Sequence, residues 1–380
     1  MEPNYISHLR LKNWRNFRDV NIDLQPRAFF IGPNASGKSN ILDAFRFLRD
    51  LVSVGGGLAE AVRRRGGITN VRCLHGRIPS NVEIEVAISL GQSRWTYLLS
   101  FNQNRAEDRP RIVAEKVELD GSPILSRDVN KERLDDPLTL TQTELEQLST
   151  NRRFRAIHEF FQSMRYSHVV PQIIRDPRRA LEEKEEDPFG GDLLRRINET
   201  PKRSRDARLK RMREALAIAV PQFEDLTFEV DEAGKPHLLA AYRHWRKNPT
   251  QQREETFSDG TLRLLGLLWA LGENAGPLLL EEPELSLNDA VTSQIPRMLA
   301  RMQRLSGRQT LITTHSTALL NDKGIGPAEV HVLEVTDNGT EVKTGSKIKS
   351  IVNMYQSGLN MAESAMPLVR PQNIEQLSLF

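Results

Sequence analysis

The sequence predicts an α/β fold: a mixed sheet with an antiparallel β subdomain and a helical insertion. Three observations predict it. A short apolar run at residues 28–31 leads through the Gly-rich segment GPNASGKS into a stretch with helical periodicity. The last third of the chain again alternates apolar strands with helices. Between the two lies a charge-dense stretch, residues 121–220, with few strand signals and a helical stripe near its end.

The elements follow in order. Residues 5–11 and 20–24 alternate as half-buried strands do, and residues 27–31 form a short apolar strand. From residue 39 to 52 the period switches, placing Ile41, Ala44, Phe45, Leu48 and Leu51 on one helical face. Residues 82–90, 95–101 and 112–119 read as meander strands with polar turns between them. In the middle, LEEKEED at 181–187 is acidic, and residues 195–213 are basic. Leu209, Met212, Leu216 and Ala219 make an amphipathic helix there. Residues 226–230 and 237–242 suggest strands, 262–271 a buried helix and 278–280 a buried strand. Residues 291–305 read as one helix carrying Pro296, followed by strands at 310–313 and 330–335. The pattern divides the chain into 1–120, an insertion at 121–225, and 226–380.

Composition bounds the class. With 380 residues, 38% hydrophobic and 27% charged, the chain is globular and fits about two or three domain-sized units. The single cysteine, Cys73, excludes an intrachain disulfide framework and a Cys-based zinc site, and favours a reducing location. No apolar run approaches the ~18–20 residues of a spanning helix, and the start MEPNYISHLRLKNWRNF lacks the apolar core of a signal peptide. A cytoplasmic protein without membrane contact is expected.

Residues 32–39 fit G-x-x-x-x-G-K-[ST] in full. Gly32 and Gly37 let the backbone turn so that the amides of Pro33-Asn34-Ala35-Ser36 and their neighbours cradle phosphate. Lys38 brings a cation to the β/γ oxygens, Ser39 offers a hydroxyl to Mg²⁺, and Asn40 continues the helix whose positive end faces the anion. A phosphate loop alone does not separate kinases, GTPases and ATPases, but three later motifs narrow the choice. LLLEEPE (278–284) sets Glu281 where an acid holds the Mg²⁺ water shell and Glu282 where a base polarises water. Alone, the same pair could be a solvated loop after a strand. FSDGTLR (257–263) starts a helix with Ser258 as N-cap, Asp259 in its first turn and Gly260 open to close approach. Alone, it could be a capped core helix. TLITTHS (310–316) ends a strand at His315, placed to sense a γ-phosphate; alone, it could be a structural histidine.

These four motifs in this order resemble the ABC-type ATPase heads of the SMC/RecF class, a P-loop NTPase fold. More narrowly, they resemble stand-alone bacterial AAA family ATPases related to the OLD family. The opening LRLKNWRNFRDVNIDLQP is similar to that class's strand-loop-strand, so the likeness covers about residues 5–52 and 255–335. The resemblance implies ATP and Mg²⁺ as ligands, with residues 32–39 as Walker A and 278–282 as Walker B. It makes Glu282 the catalytic carboxylate, residues 258–263 the signature motif, 284–288 the D-loop and His315 the switch histidine. It also implies an ATP-sandwiched homodimer, or a higher homo-oligomer, acting with a separate effector such as a Toprim-type nuclease in anti-phage defence. Three departures stand out: Asp259 replaces a common Gly, Glu281 replaces a commoner Asp, and Ser286, Asn288 and Asp289 stand where a His-Pro pair is frequent. Gln172 is a candidate for the Q-loop.

Prolines 171, 177, 188 and 201 interrupt any long coiled coil in the insertion. Residues 195–213 carry nine Lys/Arg against Glu199 and Asp206, a local surplus on a chain of net charge +3. This strip could meet nucleic acid or a protein partner. A RecF-like ATPase acting on DNA directly, and a nucleotide-gated assembly module with negligible turnover, are the alternatives.

Overall fold

The computed structural model describes residues 4–76, 81–103, 109–129, 137–176, 187–243, 250–273, 275–370 and 374–379. It divides into two compact units. The first comprises Met1–Arg165, Ala275–Leu279 and Gln303–Phe380; the second comprises Tyr166–Asn274 and Leu280–Met302.

The first unit contains an antiparallel sheet of β1 (Tyr5–Trp14), β2 (Phe17–Asp23), β4 (Val82–Leu90), β5 (Ser93–Asn102), β6 (Arg111–Leu119) and β7 (Ser122–Asp128), in the order β2-β1-β4-β5-β6-β7. Alternation explains it: Leu9, Leu11, Ile84, Val86, Tyr97 and Leu99 are buried, while intervening residues are more accessible. β7 lies in the span whose sequence carries few strand signals. SPILSRD is only partly buried, so it lacks an apolar stripe and depends on pairing with β6.

The other sheet of this unit is built on β3 (Arg27–Ile31), whose five residues are all buried. It runs parallel to β13 (Thr310–Thr313), with Thr313 beside Phe30, and to β14 (Val330–Thr336), with Val332 beside Ile31. β15 (Gly339–Thr344) closes the edge as an antiparallel hairpin with β14. A strand buried on both faces reads as a continuous apolar run, as RAFFI does. The carboxyl ends of β3, β13 and β14 therefore lie along one edge, where ligands bind open α/β sheets. The helix Lys38–Val52 follows β3 and buries the five apolar residues of its expected face.

The second unit holds β9 (Phe223–Val230), β10 (Pro236–Tyr242) and β11 (Thr250–Arg253) in the antiparallel order β11-β10-β9. They share one core with the helices Leu193–Glu199, Lys202–Ala219 and Asp259–Gly272, centred on Leu209, Met212, Leu216, Phe223, Leu265 and Trp269. β12 (Leu278–Glu281) passes covalently from the first unit to the second, and β8 (Arg165–Ser167) is its neighbour in the sheet.

One expectation is corrected. The span 291–305 is not one helix: Asn288 caps a single turn, Asp289–Thr292, and a new helix starts at Ile295 with Pro296 in its first turn. Proline is tolerated there because its missing N–H has no intrahelical partner. The basic span is two helices separated by Thr200 and Pro201. Of the acidic cluster 181–187, only Asp187 lies within the described residues. Among the described residues, no helix is long and apolar enough to cross a membrane.

Candidate active site

In the first unit, the chain leaves β3 at Gly32 and turns sharply. Ala35 has φ 61° and Gly37 φ 96°, both left-handed. At Gly37 a side chain is doubly excluded, since a Cβ would lie 2.2 Å from the Asn16 amide. Lys38 is buried, and its Nζ donates to the Gly32 carbonyl at 3.0 Å and the Pro33 carbonyl at 3.1 Å. The helix behind it starts without a side-chain cap, so its first amides face outward as an anion site. Ser36 Oγ is buried and has no hydrogen-bond partner among the described residues. This chemistry fits a bound polyphosphate: uncapped amides, an unsatisfied hydroxyl, an ammonium and a cradle that one methyl group would fill. Asn34, Ala35 and Ser39 are exposed, as residues that must touch a ligand require.

One contributor escaped the sequence reading. Asn16, in the turn between β1 and β2, donates through Nδ2 to the Ser36 carbonyl and to Thr340 Oγ1, each at 2.8 Å. Its Oδ1 accepts from Asn40 Nδ2 at 2.8 Å. Next to it, Trp14 Nε1 donates to the Asn40 carbonyl at 2.8 Å, and Arg15 Nη2 lies 2.6 Å from Asp43 Oδ2. Burial opposes the charge on Asp43, but Arg65, Arg15 and Arg46 together hold its carboxyl below the usual range. The turn WRN thus clasps the loop and the first turns of its helix. The signal was an Asn in a tight turn, which says nothing about a partner elsewhere in the chain.

His315 follows β13 and is exposed at the same sheet edge as Gly32. The backbone around it is fixed: Thr314 N–H donates to the Phe30 carbonyl at 3.2 Å, and Ser316 caps the next helical turn through Leu319 N–H.

In the second unit, β12 ends at Glu281. The Tyr166 hydroxyl donates to Glu281 Oε2, and His168 Nδ1 lies 3.2 Å from the Glu281 carbonyl. Glu282 adopts φ 43°, a left-handed conformation costing a non-glycine residue about 1–2 kcal/mol. A cleft beside it is lined by Ser167, Val169, Arg263, Leu280, Glu281 and Glu282, among others. Burial pulls the Arg263 guanidinium down, while Asp259, Glu282 and Glu284 oppose that. Both carboxylates are thus partly buried, with the backbone of Glu282 strained.

The helix Asp259–Gly272, which begins in the expected signature motif, is capped by Ser258, whose Oγ accepts from Thr261 N–H at 3.2 Å. Gly260 is required by close approach, but within the chain: a Cβ there would lie 2.7 Å from the Ser286 carbonyl. Ser286 is therefore packed on the start of this helix, and Asn288 serves as the cap of the following turn. Asp259 is paired with Arg175 at 2.6 Å, and Gln172 Nε2 lies 3.4 Å from its other oxygen.

The basic strip is only partly available to a partner. Arg205 lies over the Phe228 ring at 4.5 Å and Arg208 over Trp269 at 5.1 Å. Arg196 pairs with Glu273, and Arg213 with Asp225, each at 2.9 Å. Lys202, Arg203, Lys210 and Arg211 are exposed.

Comparison with known proteins bears on the fold and the family. The DNA replication and repair protein RecF of Lactobacillus gasseri is 47% identical over 45 residues, 12% of this chain and 12% of RecF. RecF of Mesorhizobium japonicum is 40% identical over 96 residues, 23% of this chain and 24% of RecF. The chain thus spans under a quarter of these relatives' length. Among solved structures, an Smc head bound to the C-winged helix domain of ScpA matches with TM-score 0.54 at 16% identity, covering 89% of this chain and 97% of that one. An Smc head with an extended coiled coil, bound to the C-terminal domain of ScpA derived from Pyrococcus furiosus, matches with TM-score 0.54 at 14% identity, covering 93% and 100%. At such identities the likeness concerns the fold, and it is the SMC-head fold expected from the motifs. The family described as "AAA domain, putative AbiEii toxin, Type IV TA system" matches residues 27–321, most of the length. The chain belongs to that family, and its fold is that of SMC heads.

Proposed function

We propose that the chain is a Mg²⁺-dependent ATP hydrolase that dimerises around ATP and controls a partner effector, with anti-phage defence as its setting. The observation that carries the reading is the clasped phosphate loop: a buried Lys38, an uncapped helix start and an Asn16 that fixes the Ser36 carbonyl. In this reading Lys38 neutralises the β/γ oxygens, the loop amides orient them and Ser39 offers its hydroxyl to the metal. Mg²⁺, when bound, supplies Lewis-acid stabilisation of the charge that develops on the phosphate oxygens. Glu282 accepts the proton of the attacking water, and His315 meets the γ-phosphate. Ser258, Asp259 and Gly260 begin the helix offered to the nucleotide of a second copy. The family's description as a putative toxin of a type IV system supports a role in conflict with phage or host. Smc heads of this fold are bound to domains of ScpA, which supports a separate protein partner.

The test is Glu282→Gln. It should keep ATP binding, lose hydrolysis and enrich dimer on size exclusion with light scattering; full turnover in that variant overturns the assignment. A second reading, direct action on DNA, is favoured by the exposed Lys202, Arg203, Lys210 and Arg211 and by the short RecF similarity.

A further inference from the structure

Asp259 is a chemical anomaly for a helix start that is to receive phosphate. An acid in the first turn suits the helix dipole, but it also places a negative charge where a polyanion must approach. The structure shows what offsets it. Arg175 Nη2 donates to Asp259 Oδ1 and to the Phe257 carbonyl, both at 2.6 Å. One guanidinium therefore grips the chain on both sides of Ser258, the capping residue. Gln172 adds a weaker contact to the second carboxylate oxygen at 3.4 Å. Another cation, Arg263, feels Asp259 together with Glu282 and Glu284. The side chains of Arg175 and Asp259 are 26% and 42% exposed, so the pair adds little to folding stability. Its worth lies in what the surface presents: a neutral helix start with a fixed entry path.

We propose that Arg175 is a positioning residue that neutralises Asp259 and fixes residues 257–259, so that the signature helix can meet the terminal phosphates held by a second copy of this chain. The proposal rests on the ATP-dimer reading above. In a closing, water-poor interface an unpaired carboxylate facing phosphate would be strongly unfavourable, whereas the paired one is not. Arg175 and Asp259 thus form a matched exchange: the chain tolerates an acid in place of the common glycine because an arginine from the Gln172 segment answers it.

The experiment uses the full chain arrested by Glu282→Gln, and measures the ATP concentration for half-dimerisation by light scattering. Adding Arg175→Ala should raise that concentration at least about tenfold, with the penalty shrinking at high salt, while ATP binding to the monomer is unchanged. Adding Asp259→Ser to Arg175→Ala should restore dimerisation to within about threefold, because no charge then needs an answer. Arg175→Lys should keep most of the function. An unaltered dimer in Arg175→Ala overturns the proposal, as does a loss that Asp259→Ser fails to rescue in a chain with unchanged melting temperature. If Glu282→Gln alone forms no ATP-dependent dimer, the dimer reading fails and this proposal falls with it.

Discussion

Asn16 Nδ2 donates to the Ser36 carbonyl at 2.8 Å, so a turn between two strands of one sheet fixes a loop that leaves another. Phosphate loops bind by preorganised amides, and a carbonyl held away from the cradle keeps those amides aimed inward.

Asn16→Ala should therefore weaken nucleotide binding by about tenfold, the scale of one to two lost hydrogen bonds, without touching the ligand. Lys38→Ala should weaken it by several-fold or more, through loss of the cation itself. Fluorescent-nucleotide titration measures both, and unchanged affinity in either contradicts its assigned part.

Tyr166→Phe removes the hydroxyl that donates to Glu281. A carboxylate with fewer partners is less well oriented, so the Mg²⁺ concentration for half-maximal hydrolysis should shift by about two- to fivefold. Metal-free nucleotide binding should stay as it was. An unchanged Mg²⁺ requirement would show that Tyr166 only packs.

His331 is buried on β14, stacked on Phe30 with ring centroids 5.1 Å apart. Burial holds its pKa down from 6.5 to about 4. Between those values the unfolded chain binds a proton that the folded chain does not, so stability is full above the upper value and is lost as pH falls towards the lower. The loss is about 3 kcal/mol. Denaturant midpoints of the wild type and His331→Leu, compared across that window, should differ in a pH-dependent way. A constant difference refutes the assignment.

The two kinds of arginine in the basic helix should behave differently. Arg205→Ala and Arg208→Ala remove cation–π packing on Phe228 and Trp269 and should each cost about 1 kcal/mol of stability. Replacing Lys202, Arg203, Lys210 and Arg211 together should leave the melting temperature near its wild-type value and flatten the salt dependence of any DNA binding. Absence of DNA binding at low salt favours the protein-partner reading.

What could be read from the sequence was whatever a short window dictates. RAFFI followed by GPNASGKS and an apolar helical face carries its own fold, and so does LLLE ahead of Glu282. Ser258 as a cap was visible because capping is local. What could not be read depends on partners far along the chain. The clasp of Asn16, the pairing of Arg175 with Asp259 and the approach of Ser286 to Gly260 join segments with no shared pattern. The break before Ile295 was hidden because its two sides keep one apolar rhythm, and β7 was hidden because only pairing defines it.

Thr340 completes the clasp, 324 positions after Asn16. A nascent chain carries its phosphate loop from residue 32 onward, but lacks the last member of that clasp until β15 has left the ribosome. A chain terminated before residue 340 would present the loop without its lock.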